Sequence, residues 1–427
     1  MPTTAATETP QPRQGPRPLA FHLASATTSL LSSLAVLPTV PSAWPPWSGE
    51  QSAKGAELAE ALQDIAPADF QAAVGHEIIS RLGAMMTGIE AYRGHPYRRR
   101  LPEPPVLWQE GTTRVLDYGT CGAELEPGAP TALFVPSLVN RGYVLDLLPG
   151  RSLLRWLAGQ GLRPLLVDWG APGAAERRFD LDDYVAGRLE AALDAALAGG
   201  GPTAVVGYCM GGNLALALAL RRQHQLAALA LLATPWDFHA SQAAQARLFA
   251  SSAATIDAIL EAFGELPVDL LQVFFASLDP TLALKKFCAF ARLAAMGPKA
   301  GRRAEEFVAL EDWLNDGVPL AARVARQCLV EWYGQNTPGR GLWRLAGEFV
   351  DAGRLELPSL VVVPASDRIV PPESARALVT LIPGSETMTP PSGHIGMVVG
   401  SSAERGLWQP LAAWLHRQMS PGESKNT

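Results

Sequence analysis

Cys209 stands in Gly207-Tyr208-Cys209-Met210-Gly211-Gly212, a G-x-C-x-G pattern. Between a strand and a helix, such a pattern forms a sharp turn that lifts a nucleophile clear of a sheet, here with cysteine in the place more often held by serine. The residues before it, Thr203-Ala204-Val205-Val206, read as a strand, and an Ala/Leu helix from Gly211 to Gln223 follows. Small residues at 207 and 211 are needed because side chains there would collide with neighbouring elements, while the turn itself holds Cys209 in a strained backbone conformation. The helix that follows directs its N-terminus at the sulfur, which favours a thiolate and stabilises an oxyanion. The backbone N–H of Met210 is one expected oxyanion donor. A second is expected from the loop Ser137-Leu138-Val139-Asn140-Arg141, with Val139 as the donor and Ser137 as scaffolding.

A thiol nucleophile of this kind needs a base and a group that orients it. In the α/β-hydrolase fold these follow in chain order as nucleophile, acid and base. Asp367, in Pro364-Ala365-Ser366-Asp367-Arg368-Ile369-Val370-Pro371, comes just after an apolar strand pattern. That puts it on the rim where such sheets carry their sites. Asp351 and Asp279 are weaker competitors, and a turn-capping role is the bland alternative for Asp367. His394, in Pro391-Ser392-Gly393-His394-Ile395-Gly396, lies on a Gly-flanked loop after the last strand. The other histidines, at 22, 76, 95, 224, 239 and 416, sit in helical or N-terminal contexts or away from the expected rim.

The elements that must position these groups alternate strand and helix. Strands are expected at 113–118, 131–136, 163–169, 203–208, 226–233, 357–363 and 386–389. Helices are expected at 150–161, from Asp180 to about Ala198, at 211–223 and at 407–417. The strand patterns are nearly continuous in apolar residues, as in a parallel sheet covered on both faces. From Trp236 to about Gly334 the pattern turns helical with no clear strand. The expected organisation is a Pro-rich disordered segment over 1–55 and an N-terminal helical extension over 56–104. An α/β-hydrolase core over 105–235 and 335–420 carries a helical cap inserted at 236–334. Within the first segment, residues 1–18 read as disordered, 19–37 as an amphipathic or loosely ordered helix rather than an export signal, and 38–49 as an extended connector broken by prolines.

The chain has 427 residues, 48% of them hydrophobic and 18% charged, with a formal net charge of −6. That composition supports a sizeable core and argues against a nucleic-acid partner, since Arg93 and Arg98–Arg100 are the densest basic run. Cys121, Cys209, Cys288 and Cys328 show neither disulfide nor zinc spacing, so no metal or other cofactor is expected. Few cysteines, one of them needing a free thiol, fit a reducing cytoplasm.

Together these residues resemble the polyhydroxyalkanoate synthase family. Its lipase-like box carries cysteine, as Gly-Tyr-Cys-Met-Gly-Gly does at 207–212. Leu138–Leu147, Leu166-Val167-Asp168-Trp169-Gly170 and Thr234-Pro235-Trp236-Asp237-Phe238 resemble further family segments, as do Asp367–Pro371 and Ser392–Gly396. The similarity covers most of 105–418. It implies an acyltransferase that takes 3-hydroxyacyl-CoA as substrate, carries the acyl group on Cys209, releases CoA and makes a polyester. His394 would deprotonate the thiol and assist chain transfer. Asp367 would either orient His394 or activate the 3-hydroxyl of the incoming unit. The resemblance leaves open a homodimer or a partner subunit, and a granule surface as location. The segment Met397–Gly400 is closer to the short class that needs a partner subunit. Pro371-Pro372-Glu373 lacks an aromatic residue often found after the Asp. The alternative is a cysteine-dependent α/β hydrolase: a thioesterase, a dienelactone-hydrolase-like enzyme or a polyester depolymerase. A degenerate, non-catalytic binding relative is disfavoured by the intact Cys209, Asp367 and His394.

Overall fold

A computed structural model describes residues 12–36, 50–122, 124–241 and 251–420. The expected connector at 38–49 and the first eleven residues lie outside these. Among the described residues the chain divides into two compact units: one draws on the segments up to Arg98 and on Gln272–Asn315, the other on Arg99–Leu271 and the chain from Asp316 onward. The stretch expected as one cap at 236–334 is thus shared between them.

The first unit is helical. It opens with α1 (Leu19–Val36), α2 (Glu50–Ala61) and α3 (Pro67–Gly94). Pro67 sits at the start of α3, where its missing N–H costs no hydrogen bond. Met85, Ile89 and Tyr92, on one face of α3, pack with Leu284, Phe287 and Phe290 of the helix Leu282–Ala294. The two helices approach closely at Gly88, where a Cβ would lie 2.8 Å from the carbonyl carbon of Phe287. Residues 12–18, expected to be disordered, are held. Arg13 donates to both carboxylate oxygens of Asp312, at 2.6 and 2.7 Å, and to the carbonyls of His95 and Tyr97.

The second unit is built on an eight-stranded sheet. Its strands are β1 (Val106–Glu110), β2 (Thr113–Asp117), β3 (Thr131–Val135), β4 (Arg163–Asp168), β5 (Thr203–Tyr208), β6 (Ala228–Leu232), β7 (Ser359–Val362) and β8 (Glu386–Met388). They lie in the order β1-β2-β4-β3-β5-β6-β7-β8. β2 runs antiparallel to both of its neighbours, and all later pairings are parallel. The helices α4 (Leu153–Ala158), α5 (Glu190–Leu197) and α6 (Met210–Arg222) connect the central strands. Every residue of β3, β5 and β6 is buried, which is why these strands read as unbroken apolar runs.

Two details depart from the sequence reading. β1 lies outside the expected strands: its apolar residues Val106, Leu107 and Trp108 are consecutive rather than alternating and number only three, and the strand is mostly exposed. The stretch 236–334, read as helical throughout, includes a two-residue strand pair in which Leu266 faces Leu320 and Glu265 faces Ala321.

Candidate active site

The strand order reverses at β3, with β4 on one side and β5 on the other. A crevice at the carboxyl ends of strands forms at such a switch point. Cys209 lies there, between β5 and α6, with φ 56° and ψ −130°. This left-handed conformation is costly for a residue bearing a Cβ, and the surroundings enforce it. The Cys209 N–H donates to the Leu232 carbonyl at 2.9 Å, and the Gly212 N–H donates to the Cys209 carbonyl at 2.9 Å. The glycines of the motif are explained by contact. A Cβ on Gly211 would fall 2.6 Å from the Pro136 carbonyl oxygen and closer still to that of Val135. At Gly207 a Cβ would meet the backbone of Gly211 and Gly212.

Asp367 and His394 reach the same crevice from the loops after β7 and β8. The loops are tied by backbone bonds: Ala365 N–H to the Pro390 carbonyl at 2.9 Å and Ser366 N–H to the Ser392 carbonyl at 3.1 Å. A Cβ on Gly393 would stand 3.2 Å from the Ser366 carbonyl oxygen, so glycine permits that close approach. His394 Nδ1 lies 2.7 Å from Asp367 Oδ2. Asp367 Oδ1 accepts from the N–H groups of Ile369 and Val370, both at 2.9 Å. Both side chains are buried.

With Nδ1 on Asp367, the other ring nitrogen is left free of that contact, and the imidazole feels the charge of Cys209. Burial disfavours a charged imidazole. Negative charge on Cys209, the hydrogen bonds to Asp367 and Cys209, and the charge of Asp367 outweigh it, and the pKa of His394 rises to about 10. The structure thus joins the imidazole of His394 to the carboxylate of Asp367 and sets both in the crevice where Cys209 lies.

The oxyanion donors stand differently. Met210 opens α6, where backbone N–H groups have no partner within the helix. The Val139 N–H donates to Ser137 Oγ at 3.1 Å, and the Val139 carbonyl accepts from Val318 N–H. The Ser137 hydroxyl thus occupies the donor that the sequence offered for the oxyanion. Asp279 falls in the other unit, and Asp351 instead caps the turn at Ala352–Arg354.

The chain leaving β6 is clamped next to α6. Asn213 Nδ2 donates to the Pro235 carbonyl at 2.7 Å, Trp236 N–H to Ser374 Oγ at 3.2 Å, and Phe238 N–H to Asn336 Oδ1 at 3.0 Å. Sequence reasoning singled out none of Asn213, Asn336 or Ser374, since each is an ordinary polar residue until the fold brings it here. Among the described residues no group of three or more His, Cys, Asp or Glu could hold a metal ion.

Comparison with known proteins agrees with this fold. Residues 142–401 match the alpha/beta hydrolase fold family. A poly(3-hydroxyalkanoate) polymerase subunit PhaC of Haloferax mediterranei is 31% identical over 322 residues, 74% of this chain and 64% of that protein. The chain thus spans less than two thirds of that relative. The same-named subunit of Synechocystis is 31% identical over 66% of this chain and 76% of its own length. That of Allochromatium vinosum is 30% identical over 68% and 83% respectively.

Proposed function

Because the chain belongs to the poly(3-hydroxyalkanoate) polymerase family, within the α/β-hydrolase fold, we propose that it polymerises 3-hydroxyacyl units from their CoA thioesters through a thioester on Cys209. The observation that carries this reading is the relay Cys209–His394–Asp367 at the elbow.

The Cys209 thiolate attacks the thioester carbonyl of the substrate, and the Met210 N–H faces the oxygen that becomes negative. CoA leaves as a thiolate and takes the proton of the His394 imidazolium. The sulfur is now acylated and uncharged, so the negative charge that raised the His394 pKa is gone. Neutral imidazole can then accept the proton of an incoming 3-hydroxyl, whose oxygen attacks the acyl–sulfur carbonyl; the new ester bond forms as the carbon–sulfur bond breaks, and Cys209 leaves as the thiolate beside the His394 imidazolium. The exchange of one thioester for another is nearly balanced in energy, which suits repeated transfer.

Asp367 fits the orienting role better than direct activation of the substrate hydroxyl. Its Oδ1 already accepts two backbone N–H groups and its Oδ2 the imidazole. A partner subunit, as the relatives' names hint, and attachment to the surface of the polyester product belong to the same reading. Among the described residues no helix is long and apolar enough to cross a membrane.

The test is CoA release from 3-hydroxybutyryl-CoA, with the product analysed for polymer. CoA release with polymer, absent in Cys209→Ala, is expected. CoA release with free hydroxy acid alone would replace polymerisation by thioester hydrolysis.

A further inference from the structure

Tyr208 is the residue of the elbow that the mechanism above leaves without a task. Its ring stacks on the imidazole of His394, with centroids 5.1 Å apart and planes 29° from parallel. Its hydroxyl donates to the backbone carbonyl of His394 at 3.3 Å. Tyr208 therefore grips both the side chain and the main chain of the same histidine, across 186 residues of sequence. It is buried, and it is the last residue of β5, one of the fully buried strands, so its own position is fixed. Burial, with the charges of Cys209 and Asp367, holds its phenol well above the ordinary range, so it remains a donor.

We propose that Tyr208 is a positioning residue for His394: its hydroxyl fixes the loop that carries the histidine, and its ring face stabilises the protonated imidazole. The charged groups facing that imidazole are Cys209 from the elbow and Asp367 from the loop after β7. Asp367 meets the imidazole at Nδ1, at the ring edge, and Tyr208 covers a face, where its ring supplies the attraction that aromatic faces give to cations. This deepens the reading of His394 as base and rests on it, but the test needs no acyl substrate.

Two variants separate the two grips. Tyr208→Phe keeps the ring and removes the tether. Iodoacetamide labelling of Cys209 is followed by mass spectrometry of its peptide across pH. The acid limb of labelling is expected to rise by about half to one pH unit in Tyr208→Phe, since about one hydrogen bond's worth of imidazole placement is lost. The His394 ring titration, followed by NMR with labelled histidine and assigned with His394→Ala, should fall by a similar amount, because a weaker pairing with Cys209 shifts both partners alike. Tyr208→Leu removes the ring as well. In it the His394 titration is expected to lie a further half to one and a half units, roughly, below that of Tyr208→Phe. A labelling limb in Tyr208→Phe that overlays the parent overturns the tether. A His394 titration in Tyr208→Leu no lower than in Tyr208→Phe overturns the stacking. If Tyr208→Leu does not fold, Tyr208→Phe alone still decides the tether. Loss of polymer synthesis with these profiles intact would count against the proposed function and not against this inference.

Discussion

Asp367 meets His394 with one oxygen and its own loop with the other. In Asp367→Asn the amide oxygen can keep the two backbone N–H groups, but an N–H would then face His394 Nδ1. The imidazole would be turned to the wrong tautomer, with a proton directed at the sulfur. Turnover is expected to drop by about 10²- to 10⁴-fold with far-UV circular dichroism unchanged. A second expectation concerns the charge on Cys209. Alkylation of that sulfur removes it, so the His394 titration should move down from about 10, as measured by NMR on labelled and unlabelled protein. The same raised pKa bears on stability. The imidazole's contribution is full below its ordinary value near 6.5 and is lost as pH rises through about 10. Melting temperature should therefore fall more steeply between pH 7 and 10 in the parent than in His394→Gln. The turn at Cys209 and the meeting of Asp367 with His394 were legible from sequence, because each residue sits in a short motif beside a strand. The grip of Tyr208 on His394 was not, because nothing local reports a contact made across two strands and a loop.

Among the elements, the elbow tolerates the least change. Gly211→Ala would press a methyl group into the backbone of Val135 and Pro136, neither of which is a flexible side-chain tip. A loss of about 2–4 kcal/mol in urea unfolding is expected, with activity falling further than stability because Cys209 must shift with its helix. The central strands could be read directly. Thr203–Tyr208 and the run ending at Val135 are buried on both faces and so keep an unbroken apolar pattern. The edge strand β1 could not be read, because only Trp108 among its residues is even partly covered. The short strands at 265–266 and 320–321 escaped for another reason. Two residues are too few to show any period, and only their mutual pairing defines them.

For the whole molecule, what sequence could not convey was which helices belong together. The change from strand to helical rhythm at Trp236 is a local signal, and it led to one continuous cap at 236–334. Contacts instead group Gln272–Asn315 with the N-terminal helices. Phe287 sets its ring edge-on to Tyr92, with centroids 6.0 Å apart, an association between positions far apart in the chain. Asp312 is the polar counterpart within that unit, accepting from Arg13 and from the Tyr92 hydroxyl at 2.9 Å. Asp312→Ala should cost about 1–3 kcal/mol, since it strips partners from a largely covered guanidinium and a buried phenol. Hydrogen exchange should show the loss first at the C-terminal turns of α3, with the sheet of the other unit unaffected.

The strand that ends at Tyr208, just before Cys209, has hydrogen-bonded neighbours on both sides, β3 and β6, and the cysteine's own N–H joins the ladder to Leu232. Neither neighbour is an edge. Local fraying therefore cannot release the reactive sulfur from its surroundings; only disruption of the ladder can. Heat inactivation then becomes a clock for denaturation. The first-order constant for losing rapid thiol labelling at a fixed temperature should equal the constant for losing sheet ellipticity, and both should measure the unfolding rate of the sheet itself.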